Sequence, residues 1–103
     1  MTNTHFTVII PAYNCENWVE WNLKSVLNQK YENYKIVYVD DCSTDQTCVI
    51  AENTLSKSGV EYEIVSNSQN MKALYNLYTQ IHRAENNSVI VTLDGDDALA
   101  GTD

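Results

Sequence analysis

The stretch VTLDGDDALA, residues 91–100, sets three carboxylates, Asp94, Asp96 and Asp97, within four consecutive positions straight after an apolar run. Like charges this close cost free energy unless something compensates them. A second acidic group, Asp40 and Asp41 with Asp45 close behind, follows another apolar run, KIVYV. All seven Asp fall at residue 40 or later, in these two groups and at Asp103. Carboxylates in this pattern have three readings. They hold a hard divalent cation through oxygen ligands, they transfer protons, or they are solvated loops without a function. The density of charge at expected strand ends favours the cation.

Such residues need a scaffold, and the hydrophobic pattern supplies one. FTVII (6–10) is a β-branched apolar run closed by Pro11 and reads as a buried strand. Val19, Leu23, Val26 and Leu27 fall on one face of a helix expected over 16–28. KIVYV (35–39) reads as a second strand, and Ser43 or Thr44 as the N-cap of a helix running to about Lys57. Gly59 stops that helix, and VEYEIV (60–65) alternates like an edge strand with one exposed face. Leu74, Leu77, Tyr78 and Ile81 define a third helix, expected to end near Arg83–Glu85. Asn86-Asn87 turns the chain into a fourth strand, SVIVTL (88–93).

The order β-α-β-α-β-α-β predicts an α/β fold, a Rossmann-like parallel sheet with right-handed crossovers and helices on both faces. In such sheets ligands bind beyond the carboxyl ends of the strands. The loops PAYN, DDCSTD, SNSQN and DGDD all lie at that edge, so both Asp groups are expected to share it.

At 103 residues the chain reads as one domain, residues 1–103. Fourteen acidic against six basic residues, a formal charge of −8, exclude nucleic acid and anionic membrane as bulk electrostatic partners. No stretch reaches the length of a membrane span. Cys15, Cys42 and Cys48 form no CxxC, which suits reduced thiols and a cytoplasmic location. Neither GxGxxG nor GxxxxGK[ST] occurs. An EF-hand loop from Asp94 fails at its fifth position, Ala98.

The pieces TVIIPAYN, SVLNQ, VDDCSTDQT, ALYN and TLDGDD, in this order and at matching spacing, resemble family 2 glycosyltransferases, inverting enzymes of the GT-A fold. The resemblance covers nearly the whole chain and implies the N-terminal, nucleotide-sugar-binding half of that fold. It implies that Pro11, Tyr13 and Asn14 border the nucleotide base. Asp41, or its neighbour Asp40, would accept a hydrogen bond from a base N–H, which favours uracil and makes a UDP-sugar the expected donor. Asp94 would lie close to the ribose. Asp96, supported by Asp97, would bind Mn²⁺ or Mg²⁺ bridging the diphosphate, where a cation neutralises the charge gathered by the leaving group.

The chain also departs from the family pattern. Cys42 stands where relatives often carry Gly. Asn70 stands at another Gly position and is expected to take positive φ. Tyr75 replaces an Arg, with Lys72 as a substitute cation. Asp45 is expected to brace its turn, and Trp18 and Trp21 to pack the first helix. The acceptor site and catalytic base are expected beyond residue 103. An alternative reading is a non-catalytic nucleotide-binding or oligomerising fragment of the same fold, because an uncovered sheet edge favours a homo-oligomer.

Overall fold

The computed structural model describes residues 5–29, 33–84 and 88–99, with backbone alone at Ala73 and Leu74. The expected Asn86-Asn87 turn, the Leu74 side chain and the stretch from residue 100 lie outside this description. The elements are β1 (His5–Ala12), α1 (Val19–Leu27), β2 (Tyr34–Asp40), α2 (Thr47–Ser56), β3 (Glu61–Ser66), α3 (Ala73–Arg83) and β4 (Ser88–Thr92). All pairings are parallel, in the order β3-β2-β1-β4. β3 stands at an edge, as its alternation predicts.

The alternation of side chains across the sheet divides the core in two. Val8 and Ile10 of β1 and Ile36 and Tyr38 of β2 pack with Val19, Leu23 and Val26 of α1 and Ala51 and Leu55 of α2. Ile9, Val37 and Val39 point the other way and meet Leu77 of α3. The chain steps from β1 to β2 to β3 in one direction, then crosses back to the far side of β1. Right-handed crossovers therefore put α1 and α2 on one face and α3 on the other. The reversal leaves a switch point between β1 and β4, where a cleft is expected.

Three helices differ from the sequence reading in detail. Residues before α1 form a turn, with the Trp18 N–H donating to Cys15 O at 2.9 Å, and the helix begins at Val19. Trp18 and Trp21 do not pack it: they are 46% and 55% exposed, because Val19, Asn22, Leu23 and Val26 occupy the inward face. Neither Ser43 nor Thr44 caps α2. The Thr47 N–H donates to Asp45 Oδ1 at 3.0 Å, which gives Asp45 the bracing role expected of it.

α3 presents a different face from the one predicted. Leu77 is half-buried, but Tyr78 and Ile81 are exposed, while Asn76 and Gln80 are buried. The cause is the polar N-terminal part of the sheet below it. Glu63 of β3 pairs with Arg83 at 3.0 Å and with Lys35 at 3.5 Å, and Arg83 Nη1 donates to Gln80 Oε1. These contacts turn the polar side of α3 inward.

Candidate functional site

The carboxyl ends of β1, β2 and β4 are laced together by backbone and amide hydrogen bonds. The Asp41 N–H donates to Ala12 O at 2.8 Å, and the Gly95 N–H to Pro11 O at 2.9 Å. Asn14, at φ +46°, ties the first two loops: its N–H donates to Ser43 Oγ, and its Oδ1 accepts the Thr44 N–H at 2.8 Å. Cys42 has φ +64°, a conformation that Gly adopts without steric cost.

The DGDD loop is held from the other side by Asn22. Its amide nitrogen donates to Asp94 O at 3.0 Å and Asp97 O at 2.8 Å. One turn later, Ser25 Oγ accepts the Leu99 N–H at 3.0 Å. A tight turn, with the Asp97 N–H on Asp94 O at 3.0 Å, completes the loop. Gly95 is buried against β1. A Cβ there would stand 2.7 Å from Ala12 Cβ and 3.1 Å from both Ala12 Cα and Cys15 Sγ.

Asp41 is 3% exposed, and its carboxylate is satisfied by the start of α3. Oδ1 accepts from Asn67 Nδ2 at 2.9 Å and the Met71 N–H at 2.7 Å; Oδ2 accepts the Lys72 N–H at 2.8 Å. Burial pushes its pKa up, but the donors from Met71, Asn67, Asn76 and Lys72 together outweigh it and hold the carboxyl below its ordinary value. To aim its N–H, Lys72 adopts φ +74°, ψ 151°, a region otherwise reserved for Gly. The positive φ expected at Asn70 falls on Lys72 instead, because Asn70 Oδ1 accepts the Lys72 N–H at 3.1 Å and closes the turn there.

Between these loops lies a cleft of about 210 Å³, bordered by Pro11, Tyr13, Asp41, Asn76, Asp94 and Asp96 among others. Five of the eight sequence-predicted site residues thus meet: Pro11, Tyr13, Asp41, Asp94 and Asp96. Tyr13 is half-exposed at the rim. Asn14, Asp40 and Asp97 do not border the cleft. Asn14 is spent on the Ser43 and Thr44 contacts. Both Asp40 and Asp41 are buried, but of the two candidates for the base only Asp41 lines the cleft. Asp97 turns back, its Oδ1 accepting the Ala98 N–H at 3.0 Å.

The sequence reading missed Asn22, Asn67 and Asn76. Asn22 carries a signal, as a polar residue among Val19, Leu23 and Val26 on the buried face of α1. Cys15 is buried beside Gly95, and burial pushes its thiol pKa up.

Among the described residues no three His, Cys, Asp or Glu side chains gather closely enough to enclose an ion. The donor set suits a different arrangement. Asp94 and Asp96 are exposed carboxylates on one rim, and Mg²⁺-like cations are commonly held by one or two carboxylates together with substrate phosphates and water. These residues fit that mode.

A family model described as glycosyl transferase family 2 matches residues 7–102. The minor teichoic acid biosynthesis protein GgaA of Bacillus subtilis is 32% identical over 100 residues, covering 92% of this chain and 22% of that protein. The poly(ribitol-phosphate) beta-N-acetylglucosaminyltransferase TarS of Staphylococcus aureus is 43% identical over 54 residues, 50% of this chain and 9% of that one. Among solved structures, the mannosyltransferase PcManGT from Pyrobaculum calidifontis, in complex with GDP-Man and Mn²⁺, superposes with a TM-score of 0.84 at 24% identity, covering 93% of this chain and 28% of that one. Residues 1–349 of S. aureus TarS, in complex with UDP-GlcNAc, superpose with a TM-score of 0.80 at 28% identity, covering 92% and 27%. The chain therefore spans less than a third of each of these proteins.

Two outcomes follow from the geometry. Gly95→Ala forces the DGDD loop off β1, because Ala12 Cβ is fixed to the backbone. A loss on the order of 2 kcal/mol is expected in urea unfolding; an unchanged midpoint would show that the loop gives way freely. Asp41 has a depressed folded-state pKa, so its contribution is present above its ordinary value of 3.8 and is lost as pH falls through the lower folded value. Asp41→Asn should flatten the acid limb of the stability profile below that pH, measured by thermal melts.

Proposed function

We propose, from the premise that this chain belongs to glycosyl transferase family 2 and carries the α/β fold of the GT-A glycosyltransferases, that it forms the donor-binding part of an inverting transferase that uses a nucleoside-diphosphate sugar. One observation supports this most. The crossover to β4 brings the Asp41 loop and the Asp94–Asp96 loop to opposite sides of one cleft at the switch point of the sheet.

In this reading, Pro11 and Tyr13 line the base end and Asp41 accepts a base N–H. The UDP-GlcNAc complex of TarS supports uridine. Asn14 acts indirectly, by locking the first loop to the second. Asp94 stands toward the ribose. Asp96 is the residue that would hold Mn²⁺ or Mg²⁺, and Asp97 shapes the loop that carries it. When bound, such an ion offsets negative charge on the departing diphosphate. In the transfer, an acceptor hydroxyl oxygen forms a bond to the anomeric carbon as the bond from that carbon to the diphosphate oxygen breaks. The electron pair leaves on the diphosphate, and the hydroxyl proton goes to a base. We place that base and the acceptor site beyond residue 103. Three free cysteines support a cytoplasmic setting, and no helix among the described residues is long and apolar enough to cross a membrane.

A second reading, self-association of the isolated chain, is favoured by the exposed Tyr75, Tyr78 and Ile81 of α3 and by Val89 on the edge strand β4. Sedimentation should then show concentration-dependent dimerisation that Tyr78→Glu abolishes; a monomer at all concentrations would remove it.

Calorimetric titration of UDP tests the main reading. Binding should require Mn²⁺ and weaken at least about tenfold in Asp96→Ala. Absence of UDP binding with either Mn²⁺ or Mg²⁺ would overturn it.

A further inference from the structure

The base end of the cleft carries an amide nitrogen, that of Asn76, which leans toward Asp41 but completes no hydrogen bond. Asn76 is 3% exposed and borders the cleft beside Asp41. Its orientation is fixed by donors and acceptors alone. Asn67 Nδ2 donates to Asp41 at 2.9 Å and to Asn76 at 2.8 Å. Asp41 only accepts, so the Asn67 atom is its nitrogen, and the Asn76 atom that receives from it is oxygen. The amide nitrogen of Asn76 is thereby left buried without a hydrogen-bond partner. It has two N–H bonds, so even a leaning toward Asp41 leaves one for another acceptor. A buried donor left unpaired is costly, and a ligand carbonyl would remove that cost.

Asp41 supplies the complementary half. Three hydrogen bonds occupy its carboxylate, two on Oδ1 and one on Oδ2. A carboxylate has about four acceptor sites, so one beyond these three remains, approached only by the incomplete contact of Asn76. The floor of the cleft therefore offers a free acceptor and a free donor on neighbouring side chains.

We propose that Asn76 is a specificity-determining residue for the donor nucleotide: its Nδ2 donates to the base carbonyl adjacent to the ring N–H that Asp41 accepts. The proposal rests on the uridine reading above. The pair matches the edge of uracil, an N–H flanked by carbonyls. In cytosine the equivalent ring nitrogen is an acceptor, which faces a carboxylate with no proton between them.

The test is titration of the full 103-residue chain with UDP, 2-thio-UDP and 4-thio-UDP in the presence of Mn²⁺, since a thiocarbonyl is the weaker acceptor. The wild-type chain should bind one of the two thio analogues roughly fivefold more weakly than UDP. In Asn76→Ala the affinity for UDP should fall to that level, and the difference between UDP and the analogue should vanish. Equal binding of all three by the wild type overturns the proposal while leaving the donor reading intact. So does an equal loss for all three in Asn76→Ala, which would make Asn76 a brace for Asn67. Failure of the wild type to bind UDP overturns both. The wild-type comparison needs no variant, so it decides even if Asn76→Ala does not fold.

Discussion

The site depends on how closely the loop after β4 approaches the end of β1. Gly95 has no room for a side chain, and its N–H takes the last free carbonyl of β1 at Pro11. That contact extends the β1–β4 pairing past the strand end and fixes where Asp94 and Asp96 emerge. Asn22 pins the same loop from α1 through two backbone carbonyls. The loop is clamped from both sides, so Asp94 and Asp96 stand exposed on either side of a buried Gly95. Functional groups held on such supports keep their geometry better than groups on a free loop.

The opposite wall solves a different problem. Asp41 is a buried charge, and burying an unpaired carboxylate is prohibitive. The chain meets this cost without a cation. It bends the entry to α3 so that two backbone N–H groups, from Met71 and Lys72, point at the carboxylate. The partial positive charge of a helix N-terminus adds to them. The cost is the conformation of Lys72, in a region that a residue with a Cβ enters only under constraint. Strain in the backbone and charge in the side chain are thus coupled. The Lys72 N–H on Oδ2 links the two, and of the pair it is Asp41 that borders the cleft.

Much of this was legible in the sequence because it follows from period and order. The runs FTVII and KIVYV, the helical spacing of Val19, Leu23 and Val26, and the βα alternation suffice for the sheet, its edge strand and the shared edge of the Asp groups. What was hidden depends on tertiary partners. The inward face of α3 could not be read from Leu77, Tyr78 and Ile81, because it is decided by Glu63, a residue on β3 that draws Arg83 and Gln80 toward the sheet. The exposure of Trp18 and Trp21 follows from Asn22, whose amide is needed inside to hold a loop far along the chain. The distinction between Asp40 and Asp41 is one of register: adjacent residues of a strand end face opposite ways, and only Asp41 turns toward the cleft.

The choice of amides over cations in the framework bears on the chemistry. Asn14, Asn22, Asn67 and Asn76 make the contacts that hold the loops together, and none carries a charge. At Asn22 and Asn67, which donate, Lys or Arg could bond the same carbonyls and carboxylate while cancelling the local negative potential; at Asn14 and Asn76, which accept, they could not. Among the described residues the ion pairs lie around Glu63, at the other end of the sheet, and no Lys or Arg borders the cleft. No cationic side chain on the cleft therefore offsets the charge of the exposed Asp94 and Asp96, while Asp41 is offset by hydrogen-bond donors alone. A free diphosphate entering such a cleft would be repelled, whereas a diphosphate carrying a divalent cation brings the compensating charge with it. In the proposed reading the dependence is therefore one-sided: the acidic cleft attracts a divalent cation by itself, and the cation removes the penalty that the diphosphate would meet alone.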